Sequence, residues 1–497
     1  MLGTRIKITA NELSAGCHTV PLLQGCRFRA SLEHQHDGHS PRTHPFPLRA
    51  HGSSVVILPP SLQNERVLSA PLAAAILSAA IWLYLRLAHG SFWRLHPFDD
   101  NTATHTPPAA WPKVTVIVPA RNEAETIVHA ITSLLQQNYP AGYSLILVDD
   151  HSQDNTATLA RQAATRVNAA NRLTILSATS LPQGWTGKLW ALRQGTALTV
   201  PQTSDVFGAS ATERILPSSL KANKLSPRAK RGTCFSDRLG HQANVPDYLW
   251  FTDADITHAP DTLTRLVSRA EKDHLDLTSL MVLLHAETFA ERFTIPAFLF
   301  FFLKLYPPKW IADPKARTAG AAGGCILLRT RALERIGGLE SIRQEVIDDC
   351  ALAQAVKRTG GKIWMGLTRQ SVSLRRYNSF TEIRDMIART AFTQLRYSTL
   401  LLTGTLIGLA ATYLAPIAFL FARETATRIV ALATWLTMSL LFLPTVRYYR
   451  LNPVWAALLP ATAAFYAYAT FLSAIRHYAN RGAQWKGRSQ AGAARSR

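Results

Sequence analysis

Six aspartates fall in three tight groups: Asp149 and Asp150 closing LILVDD, Asp253 and Asp255 in WFTDAD, and Asp348 and Asp349 in EVIDDCALAQAVKRTGG. One such group can simply cap a helix or solvate a loop. Three groups converging on one sheet edge repel one another unless a cation or a cationic substrate offsets them. The D-x-D pair offers hard oxygen ligands for Mg2+ or Mn2+, with phosphate oxygens completing the shell. Lys188, in GWTGKLWALRQG, can place positive charge beside a diphosphate, although a lone lysine reads equally well as a surface residue. No Ser-His-Asp or Cys-His arrangement stands out, so nothing demands a covalent intermediate.

The elements that must position these groups alternate between strand and helix. Residues 114–119 (VTVIVP), 145–148 (LILV), 173–176 and 248–252 (YLWFT) read as buried strands. Residues 123–137 carry a helical stripe through Ile127, Ala130, Ile131, Leu134 and Leu135, and further helices are expected from Pro260 and at Asp348. Continuous apolar strands separated by helices predict an α/β fold with a mostly parallel sheet covered on both faces. Ligands of such sheets bind beyond the carboxyl ends of the strands, where the aspartates fall. The run Gly320-Ala-Ala-Gly323-Gly324-Cys325 precedes another strand and reads either as a tight turn or as backbone that can approach a ligand closely. Gly337-Gly338 reads as a helix terminator.

Four segments in order, VTVIVPARNEAETI, LILVDDHSQDNT, FTDADI and VIDDCALAQAVKRTGG, resemble glycosyltransferase family 2 over roughly residues 111–397. GWTGKLWAL, FTIPAFLFFFLKLYPPKW and the apolar C-terminal runs look closest to the hopene-associated membrane glycosyltransferases. The resemblance implies a GT-A (Rossmann-like) fold, a nucleotide-sugar donor (a UDP-sugar) and a divalent cation. It implies donor-binding roles for Pro119, Ala120, Asn122, Glu123, Asp149 and Asp150, metal binding by Asp253 and Asp255, and a general base at Asp349. Asp348 stands where the family's usual Glu precedes that base. Lys188 and Arg396 are expected beside the leaving diphosphate. The segment Thr393-Gln394-Leu395-Arg396-Tyr397 resembles the Q-x-x-R-W motif of membrane-bound members but departs from it at Thr393. That departure disfavours a polysaccharide synthase. A nucleotidyltransferase would not need a base at Asp349, and a non-catalytic membrane scaffold would not need the retained carboxylates.

The chain has 497 residues, 47% of them hydrophobic, with five cysteines and no CxxC. Those values exclude a disordered chain and a disulfide scaffold, and they suggest neither a zinc ribbon nor full bridging. Lys+Arg minus Asp+Glu is 54 − 32, or +22, although charged residues are only 17%. A large basic excess within so low a charged fraction suits membrane segments with basic flanks. Nucleic acid is not an expected partner, since no binding motif accompanies the charge.

An uncharged run at 67–85 is long enough to cross a bilayer, and the runs 398–422, 429–446 and 451–475 are three more. The expected layout is a disordered leader (1–65), a first span (66–88), a catalytic domain (111–397), about three C-terminal spans (398–475) and a basic tail (476–497). A flexible basic insertion occupies 201–247. Residues 293–310, rich in Phe, are expected to lie in the membrane interface, where they would dock a lipid acceptor. Basic residues such as Arg86, Arg94, Arg389 and Arg396 are expected to place the catalytic domain on the cytoplasmic face, and the resemblance implies that the membrane is a bacterial inner membrane. Three C-terminal crossings would then put the basic tail outside, against the positive-inside rule. Either one run is re-entrant or the tail breaks that rule.

Overall fold

The computed structural model describes residues 68–100, 107–200 and 245–479, with the pairs 484–485 and 488–489. The expected leader, nearly all of the basic insertion and most of the tail lie outside the described residues.

An eight-stranded sheet organises the catalytic region in the order β3-β2-β1-β4-β7-β6-β8-β5. Its strands are β1 (Val114–Ala120), β2 (Tyr143–Asp149), β3 (Leu173–Ser177), β4 (Tyr248–Thr252), β5 (Ile256–His258), β6 (Leu277–Leu283), β7 (Cys325–Arg329) and β8 (Ile363–Ser373). Pairings β1–β2, β1–β4, β2–β3 and β6–β8 are parallel, and β4–β7, β6–β7 and β5–β8 antiparallel. The sheet is therefore mostly parallel but mixed. Because β7 runs backwards, its first residue, Cys325, pairs with Thr252 at the end of β4. The glycine-rich turn is thereby brought beside the D-x-D segment.

β1 is buried along its whole length, as its unbroken apolar sequence requires. Val116 and Val118 pack on one face with α2 (Ile127–Leu135), while Ile117 joins the cluster of α4 (Gly187–Ala197) on the other. α2 begins at Ile127, not at Glu123, because Asn122 adopts a left-handed backbone (φ 51°) and the next residues form a turn. α4 sits close against β1 and β2: a Cβ at Gly195 would lie 2.6 Å from Ile117 Cγ2. That contact fixes the height of Lys188 above the sheet edge.

Between β2 and β3 lies α3 (Thr156–Arg166), and after β5 comes α5 (Thr262–Lys272). α6 (Phe289–Leu305) corrects the interfacial expectation for its stretch of sequence. Ile295, Leu299, Phe300 and Leu303 are fully buried, with Phe300 edge-on to Phe92 and Phe442. The Phe-rich segment is a core helix between the sheet domain and the apolar C-terminal helices. The exposed aromatic on it is Phe289, at its first turn. Then follow α7 (Pro308–Ala312), α8 (Thr330–Arg335), which Gly337 and Gly338 follow at positive φ, α9 (Asp348–Arg358) and α10 (Phe380–Gln394).

Among the described residues four helices are long and apolar enough to cross a membrane: α1 (Ala70–Leu87), α11 (Thr399–Phe419), α12 (Thr425–Tyr448) and α13 (Pro453–Tyr478). Ser69, capping α1, donates to Glu424 before α12 at 2.5 Å, so these two helices start at the same level. Trp82 Nε1 donates to Thr412 O at 2.8 Å, within a π-helical turn of α11 (Ala410–Leu414).

The sheet domain is joined to α6 by one carboxylate. Glu291 is 1% exposed and accepts from the backbone N–H groups of Tyr377 (2.7 Å), Thr288 (3.0 Å) and Glu287 (3.0 Å). Burial alone would raise its pKa; the three N–H donors outweigh burial and lower it. A depressed carboxylate stabilises the fold above the ordinary carboxylate range and loses that contribution as pH falls through its folded value. Glu291→Ala leaves three buried donors unsatisfied, at about 1–3 kcal/mol for such a group. We expect a lowered Tm at pH 7, read by scanning fluorimetry in detergent, and a deficit that shrinks in acid. An unchanged Tm at pH 7 would remove Glu291 from this role.

Candidate active site

The loop after β1 and the loop after β2 are laced together. Asn122 N donates to Ser152 Oγ (3.0 Å), Asn122 Oδ1 accepts from Gln153 N (2.8 Å), and Glu123 N donates to Thr156 Oγ1 (2.8 Å). Asp149 and Asp150 diverge, as neighbours on a strand must. Asp149 Oδ1 accepts from Ser152 N at 3.2 Å and shapes the turn. Asp150 is 1% exposed and lies 3.6 Å from Arg121 Nη1. Arg121 was not singled out by sequence reasoning, although it stands inside the segment VPARNE beside two residues that were.

Beyond β4 the aspartates converge on Lys188. Its Nζ lies 2.8 Å from Asp253 Oδ1 and 3.6 Å from Asp348 Oδ2. Burial opposes the charge on Lys188, but Asp253 and Asp348 outweigh it and hold the ammonium well above its ordinary value. Asp349 sits deeper, its Oδ2 accepting from Gly323 N (2.8 Å) and its Oδ1 from Cys350 N (2.7 Å). Burial, then Asp348, push its pKa up to about 6, against the pull of Lys188 and the two N–H donors. A Cβ at Gly323 would stand 3.2 Å from both Asp349 Oδ2 and Lys188 Nζ. At this turn the backbone comes close to the charged groups of the protein itself. Pro119, Lys188, Asp253, Gly323, Asp348 and Asp349 line one recess.

The D-x-D segment is braced from beneath. Thr252 Oγ1 donates to Gly324 O (2.9 Å) and meets His258 Nε2 at 2.8 Å, while His258 Nδ1 meets Ser371 Oγ at 2.8 Å. Burial lowers the His258 pKa to about 3, so the ring is a neutral strut. Asp255 is half-buried, and its carbonyl accepts from Leu374 N at 2.7 Å.

Arg396 is not brought to this cluster. It is exposed just past the end of α10, in a left-handed backbone (φ 52°), and makes no hydrogen bond or ion pair with the carboxylates among the described residues. The α10 arginine whose charge is felt at Asp253 and Asp348 is Arg389, two turns earlier. Burial lowers its pKa, opposed by Tyr377, while Arg375 adds repulsion. No motif pointed to Arg389; its placement follows from the docking of α10.

The site's charge suits a divalent cation. Asp253, Asp348 and Asp349 share one ammonium, which leaves an excess of two negative charges when all are ionised. Among the described residues no three His, Cys, Asp or Glu side chains form a ready ligand set. Asp253 lines the recess and Asp255 follows it two residues on; these remain the residues expected to meet such an ion.

The family model for Glycosyl transferase family 21 matches residues 240–491, just over half of the chain, and that for Glycosyl transferase family 2 matches residues 115–199. Glycosyltransferase AglE of Haloferax volcanii is 44% identical over 55 residues, which is 11% of this chain and 18% of that protein. The chain thus aligns with less than a fifth of that relative's length. Among solved structures, the mannosyltransferase PcManGT from Pyrobaculum calidifontis, in complex with GDP-Man and Mn2+, is 18% identical with a TM-score of 0.46. That alignment covers 82% of this chain and 99% of the other. Glucosyl-3-phosphoglycerate synthase from Mycobacterium tuberculosis, with Mg2+ and uridine-diphosphate, is 15% identical with a TM-score of 0.32, covering 57% and 79%.

The raised Asp349 value carries a stability signature. Between its ordinary carboxyl value and about 6 the folded state binds the extra proton, so stability falls as pH rises through that window. At about 1.4 kcal/mol per pKa unit, the loss between pH 5 and 7.5 is roughly 1 kcal/mol. Asp349→Asn abolishes this component and narrows the difference in Tm between those two pH values. An undiminished difference would show that Asp349 is not the group responsible.

Proposed function

Because the chain belongs to glycosyl transferase family 21, we propose that this site transfers a sugar from a nucleotide-sugar donor, with inversion, to the hydroxyl of a membrane lipid. One observation carries the reading: Asp253 of the D-x-D segment, the half-buried Lys188 and a carboxylate with a pKa near 6 meet at one sheet edge, within a single recess.

In this reading the loops after β1 and β2, with Asn122, Glu123 and buried Asp150, hold the nucleoside. Pro119, Ala120 and Asp149 shape that floor. Lys188 and Arg389 face the diphosphate, and Arg389 takes the place that sequence reasoning gave to Arg396. A divalent cation at Asp253 and Asp255 would neutralise the departing diphosphate. Asp349 is the base. The acceptor oxygen bonds to the anomeric carbon, the carbon–oxygen bond to the diphosphate breaks, and the acceptor proton passes to Asp349. A base with a pKa near 6 is mostly ionised at neutral pH and close enough to it to accept a proton usefully. Asp348 keeps Lys188 charged and Asp349 basic.

The lipid acceptor is supported by position. Phe289 (66% exposed) and Phe380 (36%) flank the Tyr377 loop, and Tyr377 feels the charge of Asp255. With Phe293, Phe465 and Trp455 they form an aromatic platform, their ring centroids 5.5–6.5 Å apart. It lies between the catalytic edge and the apolar helices, where an apolar acceptor would rest. A hopanoid is the favoured acceptor and a UDP-sugar the favoured donor. The favoured location is the cytoplasmic face of a bacterial inner membrane.

Asp349→Asn is expected to cut transfer by ~10²–10⁴ while leaving nucleoside-diphosphate affinity unchanged, since the base acts on the acceptor. Calorimetry beside transfer assays with a panel of labelled nucleotide sugars checks both halves. Near-normal transfer would refute the base. Asp255→Ala should remove the dependence of nucleoside-diphosphate binding on Mn2+ or Mg2+, and binding that stays metal-dependent would refute that ligand. Phe289→Ser with Phe380→Ser should raise the lipid acceptor's KM about tenfold, by the loss of two apolar contacts, and spare donor hydrolysis. An unaltered KM would free the platform of this role.

A further inference from the structure

By length and composition α13 is a fourth candidate span, yet its contacts forbid a crossing. Along one face it is bonded to the sheet domain's own helices. Thr462 Oγ1 donates to Phe293 O (3.1 Å) and Tyr466 Oη to Thr294 O (3.1 Å), both on α6. Ser473 Oγ donates to Ala388 O (2.5 Å) and accepts from Phe392 N (3.1 Å), both on α10. Arg476 Nη2 donates to Asp385 Oδ1 at 2.6 Å, and the His477 ring stacks on Tyr397 at 4.4 Å. Phe465 meets Phe380 at the other end of α10. The two helices therefore run side by side and parallel over α10's full length.

α10 cannot lie in hydrocarbon. It carries Glu382, Arg384, Asp385 and Arg389, and Arg389 acts on the active-site carboxylates. A charged residue at the bilayer centre costs several kcal/mol, and four on one short helix are prohibitive. Whatever lies flush with α10 shares its level. Only residues 453–464 of α13 remain, and these about 12 residues fall short of the ~20 a spanning helix needs. They are also held to the sheet domain, through Trp455 against Phe289 and Thr462 against Phe293.

The opposite face of α13 exposes Ala461, Ala464, Tyr468, Phe471, Ile475 and Tyr478, spaced three and four apart. An apolar stripe of that period, with tyrosines on it, suits a helix lying in the bilayer surface. We propose that Pro453–Tyr478 does not cross the membrane but lies in its interface, apolar stripe toward the lipid. α1, α11 and α12 are then the crossings, and the chain beyond Tyr478 stays on the catalytic side. This removes the conflict with the positive-inside rule, because the basic tail then faces the same compartment as Arg86 and Arg94. The proposal rests on the membrane reading above but not on the reaction, so its test needs no activity.

The test is sidedness. Single cysteines are introduced at Lys315 on the catalytic domain, Arg423 between α11 and α12, and Ala479 after α13, all three exposed. Intact cells and inverted vesicles are treated with a membrane-impermeant maleimide, and labelling is read on the peptide carrying the new cysteine. Ala479→Cys should follow Lys315→Cys and oppose Arg423→Cys. Labelling that follows Arg423→Cys, or that comes from both sides, overturns the proposal. A nitroxide on Phe471→Cys gives a second reading in phosphatidylethanolamine/phosphatidylglycerol vesicles. Its depth should be ~5–10 Å below the headgroups, and a depth at the bilayer centre overturns the proposal as well. A chain that passes both yet transfers no sugar would refute the reaction and leave this topology standing.

Discussion

Everything at the sheet edge depends on one ammonium set among three carboxylates. Lys188 is carried there by α4, which Gly195 allows to press against β1 and β2. Asp253 arrives at the end of β4, and Asp348 and Asp349 at the first turn of α9. Without Lys188 the three acids would repel in a recess poorly solvated by water. With it they still carry surplus negative charge, which makes the recess receptive to a cation. The antiparallel course of β7 is the topological condition for this arrangement. It delivers Gly323 to the edge, where its N–H holds Asp349, and a side chain there would crowd the oxygen and the ammonium together.

The second constraint joins this edge to the apolar helices. Glu291 gathers three backbone N–H groups, one from the Tyr377 loop and two from the start of α6. That loop continues β8 past Asp255 and leads directly into α10 with Arg389. A single buried carboxylate therefore ties together the end of β8, the helix carrying the arginine and the core helix beneath the apolar bundle. Buried charge of this kind holds geometry when its oxygens are hydrogen-bonded, and both oxygens of Glu291 accept.

The sheet was legible because its strands are uninterrupted apolar runs, and the aspartates because two of the groups close such runs and the third opens a helix. Asp149, Asp253 and Asp349 stand at element ends that local sequence specifies. What was not legible lies in long-range docking. Arg389 and Arg396 are both basic residues on or just past one helix, and only the packing of α10 against the edge distinguishes them. The five phenylalanines within 293–302 read as an interfacial surface, since composition alone cannot say whether an apolar helix meets lipid or protein. Phe300 meets Phe92 and Phe442, two elements far away in sequence. The reversed direction of β7 was equally hidden, because an apolar strand carries no mark of its direction.

The same limit explains why length and hydropathy count α13 among the candidate spans. An all-apolar run reads alike whether its second face meets lipid or a neighbouring helix, and only the partners' charges tell the two apart. With α13 in the interface, α10 is clamped between it and the sheet edge. Arg389, whose charge is felt at Asp253 and Asp348, then owes its position to a helix whose other face would rest on lipid. The bilayer surface would thus fix the orientation of the residue proposed to meet the leaving group, while Asp349 takes its hydrogen bonds from Gly323 and Cys350, which lie off that helix. Donor chemistry and membrane docking would share one helix, and base chemistry would not.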